Sequence, residues 1–192
     1  MTRISLTGQV HRHLLPHLSD DTIAIDATAG NGHDSLFLAA NIGENGRLYA
    51  FDIQRQAIEN SRKRLAAAGL SARVTLMQTG HEHMAAQIPE IHHGRVNIIM
   101  FNLGYLPNAD KSLITTTATT IKALNAAIAM LAGSGILSIL AYPGHPGGRE
   151  ETAAVIQWAQ NLPQQTFTLC MHNPDQNPQT SPQWIEVIKL DD

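Results

Sequence analysis

The chain has 192 residues, 43% of them hydrophobic, and a formal net charge of −3, the make-up of a globular protein long enough to fill a sizeable core. This balance excludes intrinsic disorder and carries no global signature of a nucleic-acid binder, although it leaves room for a local basic patch. A single cysteine, Cys170, cannot close an internal disulfide, no run is apolar enough for a membrane span, and the N-terminal stretch has histidines and a proline where a signal peptide needs an apolar core.

One domain over residues 1–192 and a cytoplasmic location are therefore expected. Residues 5–18 predict an amphipathic lead-in helix, broken or bent at Pro16. "TIAIDAT" predicts a buried strand, followed by a glycine turn and the helical run "DSLFLAANI". "RLYAFDI" is a second strand and "QAIENSRKRLAAAGL" a helix ending near Gly69. "ARVTLMQT" is a third strand. "RVNIIMFNL" is a fourth, apolar on both faces as a central parallel strand should be. "TTIKALNAAIAMLAGSG" predicts a helix with a glycine stop, and "GILSILAY" a fifth strand. "GREETAAVIQWAQNL" is a further helix, and "QTFTLCMH" and "QWIEVIKL" close the chain as strands. Strands alternating with helices predict a doubly wound α/β sheet, which places its ligand outside the carboxyl ends of the strands at the switch point.

The first such end reads "DATAGNGHDS", Asp26 to Ser35. Gly30 and Gly32, on either side of Asn31, let the backbone turn sharply and let a ligand approach. A dinucleotide turn would read G-x-G-x-x-G, but the sixth position here is Ser35. Asp26 and Asp34 would also crowd a pyrophosphate with negative charge, where a bare helix N-terminus is preferred. A ligand carrying an ammonium and a sulfonium suits them better, and S-adenosylmethionine is such a ligand. Asp52 ends the second strand, 20 residues after Gly32, the place from which a carboxylate reaches a ribose diol. Ile53 beside it offers an adenine face. Helix-cap and turn roles are the alternatives for the three acids. The fourth strand ends in "FNLGYLP", where Asn102 can accept from an amine and Tyr105 can lie against a base, unless the segment serves turn geometry alone.

"DATAGNGHDS", "FNLGYLP", "DKSLITT" and "AYPGHPGGREE" together resemble the bacterial family long labelled rRNA methylases, whose MnmM-type members methylate the aminomethyl group on the wobble uridine of certain tRNAs. The resemblance runs from about residue 4 to the end. It implies a Rossmann-like class I methyltransferase fold, a seven-stranded sheet with its last strand antiparallel. It implies donor binding around Asp26, Gly30, Gly32, Asp34, Asp52 and Gln54, with Asn31, His81 and Asn102 beside them. It implies a substrate mouth built from "FNLGYLP" and "YPGHPGG". Leu103 and Gly104 stand where many amino-methylating enzymes carry prolines, and Ser35 where threonine is frequent in the family.

The expected chemistry is methyl transfer from S-adenosylmethionine to the amine of 5-aminomethyl-(2-thio)uridine in a tRNA anticodon loop. Asn102, Tyr105 and His145 are the expected catalytic residues, with His81 a second histidine whose ordinary pKa suits a base. Tyr105, Lys111, Tyr142, His145 and Arg149 are the expected substrate contacts, with Arg12 near the mouth. His13 and His17 lie four apart, but Pro16 interrupts the helix and no acid completes a site, so no metal is expected. No membrane partner is expected either, and a homodimer is left open. Three alternatives remain: an rRNA methyltransferase, an NAD-dependent oxidoreductase (disfavoured by Ser35 and Asp26) and a noncatalytic RNA-binding module.

Overall fold

The computed structural model describes residues 4–104, 114–173 and 176–191. Seven strands form one sheet in the order β3-β2-β1-β4-β5-β7-β6. They are β1 (Ile23–Asp26), β2 (Arg47–Asp52), β3 (Val74–Gln78), β4 (Val96–Leu103), β5 (Leu131–Ala141), β6 (Phe167–Met171) and β7 (Gln183–Lys189). The first five pair in parallel, whereas β7 runs antiparallel to both β5 and β6. The expected sheet, with its reversed last strand, is the one observed.

Helices cover both faces: α1 (Leu6–Leu14), α2 (His33–Asn41) and α3 (Arg55–Ala67) on one side, α4 (Met84–Gln87), α5 (Thr117–Met130) and α6 (Gly148–Gln160) on the other. Strand geometry explains the division. Successive side chains point to opposite faces, so Ile99 and Phe101 of β4 join Leu124 and Val155 in one core, while Ile98 and Met100 join Leu38 and Leu65 in the other. This double burial is why β4 reads as a continuous apolar run.

Two local departures have clear causes. The helix expected to stop at a glycine ends earlier, at Met130, and the strand begins at once, with Leu131 paired to Val96. The segment Ala132–Gly135 bulges out of register, with Ser134 at a φ of 56°. Gly135 passes so close to the Val96 carbonyl that a Cβ would sit 2.9 Å from its oxygen. The glycines there serve a bulge in the strand. At the other end, α1 stops before Pro16 and a 3-10 turn spans Leu15–His17. Among the described residues, no helix is long and apolar enough to cross a membrane.

Candidate active site

β1 and β4 are neighbours whose connections leave in opposite directions, which opens a crevice at their carboxyl ends. A cavity of about 870 Å³ lies there, within the range of small-molecule sites. The turn after β1 forms one wall. Ala27 N–H donates to the Met100 carbonyl and Ala29 N–H to the Phe51 carbonyl, so the turn is fixed to both neighbouring strands. Gly30 has a φ of 51° and Gly32 of 76°, a region glycine occupies without strain.

The site acids and Asn102 take distinct positions. Asp52 lines the cavity, its Oδ2 accepting from Gly30 N–H at 2.9 Å and its Oδ1 from Gln54 N–H at 2.8 Å. Burial pushes its pKa up, opposed by those two backbone N–H groups. Asp34, in the first turn of α2, has only 6% exposure and holds two partners. His11 Nε2 from α1 lies 2.6 Å from Oδ1, and Asn102 Nδ2 donates to Oδ2 at 2.5 Å. A carboxylate only accepts here, so the amide NH2 of Asn102 must face Asp34, and its carbonyl Oδ1 lies on the other branch. The Asn102 backbone N–H donates to Thr28 Oγ1 at 2.7 Å, which ties the end of β4 to the turn. His11 stacks flat on Phe37 at 3.9 Å, which holds its ring against Asp34.

Two expected donor contacts take other places. Asp26 is fully buried and does not line the cavity. Its Oδ2 accepts from Ser35 Oγ at 2.6 Å and its Oδ1 from Thr28 N–H at 3.2 Å, so it shapes the turn from beneath. Burial first, and the nearby Asp34 second, push its pKa up to about 7. Gly32 also stands outside the lining: a Cβ there would lie 2.7 Å from Ser61 Oγ and 2.8 Å from its Cα. Its smallness lets α2 and α3 pack together.

Of the expected site residues, Gly30, Asn31, Gln54, His81, Asn102, Tyr142 and His145 line the cavity. His81 is buried, which lowers its pKa and keeps it neutral. Its Nδ1 lies 3.3 Å from the Ala27 carbonyl, which can only accept, so the proton sits on Nδ1 and Nε2 is left bare. Burial raises the Tyr142 pKa, opposed by its hydrogen bond with Thr7 of α1. His145 Nδ1 lies 3.0 Å from the Pro146 carbonyl, and its ring fits against Gly148, where a Cβ would come within 2.7 Å of Nε2. Arg149 and Arg12 are exposed and outside the cavity lining. Tyr105 and Lys111 lie outside the described residues.

Sequence reading missed three contributors. Thr7 and His11, four apart on α1, reach the cavity wall through Tyr142 and Asp34; the four-residue spacing was the available signal. Glu151 is buried on α6, and its two oxygens accept from Thr115 Oγ1 at 2.7 Å and Thr120 Oγ1 at 2.6 Å. It binds α6 to the segment entering α5 at the cavity rim, and nothing local in "GREE" announces that.

A glycine turn against a strand-end acid, at the switch point of a seven-stranded sheet with one reversed strand, is the architecture of a class I methyltransferase. The model of the family described as "Putative rRNA methylase" matches residues 48–188, and the chain belongs to that family. A crystal structure described as a "putative rRNA-methylase" from Clostridium thermocellum is 36% identical, covers 99% of this chain and 100% of its own, and superposes with a TM-score of 0.90. A "putative methyltransferase" from Streptococcus mutans, in complex with SAH, is 34% identical over 99% of both chains, with a TM-score of 0.84. The "tRNA (mnm(5)s(2)U34)-methyltransferase, chloroplastic" of Arabidopsis thaliana is 41% identical over a match of 158 residues that covers 78% of this chain and 57% of the plant protein's length. This chain thus spans a little over half of that relative.

Proposed function

We propose that the protein is an S-adenosylmethionine-dependent N-methyltransferase acting on tRNA, with the amine of 5-aminomethyl-(2-thio)uridine at the wobble position as the methyl acceptor. The observation that carries this reading is Asn102. It stands at the carboxyl end of the central strand, its NH2 fixed on Asp34, so that its carbonyl is oriented as a hydrogen-bond acceptor beside the donor-type turn. An amine acceptor substrate requires such a group. The 41% identity to the plant tRNA enzyme supports the identity of the target.

When bound, S-adenosylmethionine supplies a methyl group on a sulfonium centre, open to in-line displacement. The residues of the cavity suit it: Asp52 for the ribose hydroxyls, the half-exposed Ile53 for the adenine face, and an acidic wall for a cationic ligand. The remaining work is positioning and proton handling. Asn102 Oδ1 accepts one N–H of the substrate amine and so aims the nitrogen lone pair. The amine must be neutral to attack, and His81 and His145 are two cavity-lining side chains able to take its proton. Tyr142 offers a flat face for the uridine. An anticodon base already lies in a loop, so it can be splayed into the cavity without melting a duplex.

The test uses tRNA from cells lacking the activity, incubated with the full chain and methyl-labelled donor, followed by mass analysis of the nucleosides. Label in 5-methylaminomethyl-(2-thio)uridine is expected. Label confined to ribosomal RNA would replace the substrate and keep the methyl-transfer reading.

A further inference from the structure

Away from the cavity, the fold gathers three metal-ligating side chains from distant parts of the chain. Glu186 lies on β7 with 2% exposure. His13 of α1 brings Nε2 to 2.7 Å from its Oε2, and His172, just after β6, brings Nε2 to 3.3 Å from its Oε1. The three ligand atoms all lie within 4.8 Å of one another. The imidazoles are held in place by packing. His172 stacks on Trp184 with ring centres 3.7 Å apart, and His13 meets both rings edge-on. Trp184 is itself anchored, its Nε1 donating to Ser138 Oγ at 3.1 Å.

An ordinary ion pair accounts for this arrangement incompletely. Oε2 of Glu186 is buried and not met by an aligned hydrogen bond, despite the nearby His13 nitrogen. A buried carboxylate oxygen in that condition is costly. A divalent cation would satisfy the carboxylate and both neutral imidazoles at once. The spacing agrees with this: ligand bonds of about 2.0–2.2 Å around a tetrahedral zinc put neighbouring ligand atoms roughly 3.3 Å apart. His172 Nε2 stands at that distance from Oε1 and His13 Nε2 closer, at 2.7 Å, to Oε2, so each imidazole faces its own carboxylate oxygen; with one oxygen as ligand the three atoms lie within 4.8 Å, a spread that the partly exposed His13 can close. His17, with its ring centre 6.0 Å from that of His13, is the adjacent side chain for a fourth position.

We propose that His13, His172 and Glu186 form a divalent-metal site of the zinc type that fastens α1 to the β6–β7 hairpin. A sequence search for ligands looks along α1, to His17; the fold supplies them from three separate segments. Because α1 also carries Thr7 and His11 to the cavity wall, metal at this site braces the active site from behind.

The full chain, stripped with a chelator, is titrated with zinc by calorimetry at pH 7.5, and cobalt(II) is added in parallel for its visible absorption. One equivalent of zinc, a cobalt spectrum of four-coordinate intensity and a raised thermal midpoint are expected. His172→Ala and Glu186→Gln should weaken binding by at least about a hundredfold, more than the loss of an outer-shell partner would. Because Glu186 is buried, His13→Ala at a partly exposed position serves as the variant that keeps its fold, checked by circular dichroism. Absence of a one-equivalent event in the unmutated chain, or unchanged zinc affinity in folded His13→Ala and His172→Ala, would overturn the site. Methylation assays play no part in either outcome, so the result is independent of the substrate proposed above.

Discussion

Asp52 and Asn102 share the same cavity but should fail differently when altered. Asp52→Ala removes a charge-assisted acceptor of the kind worth roughly 1.5–3 kcal/mol, so donor affinity should fall about ten- to a hundredfold, read by calorimetry, while circular dichroism is unchanged. Asn102→Ala should leave donor affinity near normal and lower kcat. Asp34→Asn should lower kcat by the same route, because the amide of Asn102 loses the partner that sets its orientation. In a double-mutant cycle the two changes should then be far from additive; additive losses would mean that Asp34 acts on something else. Asp26 makes a different prediction. Its folded pKa lies near 7, above the unfolded value of 3.8, so the folded state holds a proton that the unfolded state has already released. Its contribution to stability is therefore full below about pH 4 and is lost as pH rises towards 7. Asp26→Asn should melt higher than the unmutated chain at pH 8, by on the order of a few degrees, and the gap should close near pH 4–5. Gly30, Asp52 and Asn102 were legible in the sequence as cavity-lining positions, because each follows an apolar strand and so must stand at its carboxyl end. That Asp26 lies under the turn was not legible, since a carboxylate at a strand end reads the same whether it faces the ligand or the core. The Asp34–Asn102 bond joins residues 68 apart and appears only when β1 and β4 pair.

At the scale of elements, the contact between α2 and α3 depends on one absent methyl group. Gly32 caps α2 at a positive φ and lies against the backbone of Ser61. Gly32→Ala should cost about 2–4 kcal/mol from strain and overlap combined, seen as a lowered midpoint in urea unfolding. Ser61→Gly should rescue little of it, because the Ser61 Cα is part of the obstacle. The order of strands and helices was readable from period-two and period-3.6 apolar patterns. The short α4 was not, because four residues between two 3-10 turns carry too few apolar positions to show a period. The bulge in β5 was hidden for another reason: "AGSG" after a helical run carries the signature of a helix stop, and only pairing with β4 turns those glycines into strand residues.

For the whole molecule, a net charge of −3 limits how strongly the chain can hold a polyanion. Binding to a tRNA anticodon stem-loop should show a shallow dependence on salt, with about 2–4 phosphates neutralised. A filter-binding series from 50 to 200 mM salt measures the slope, and a value near that of a strongly basic binder would point to a larger footprint than the exposed Arg12 and Arg149 provide. The sheet order has a consequence for biosynthesis. β7 occupies an interior position, between β5 and β6, yet it is the last strand to be made. Until Gln183–Lys189 leaves the ribosome, β6 has no strand to pair with and the outer edge of β5 stays open. From the completion of β5 until then, the nascent protein therefore carries an unpaired apolar edge, exposed to strands of neighbouring chains. A stalled or prematurely terminated product is for this reason more than a shortened protein: it is a sheet with its closing piece withheld.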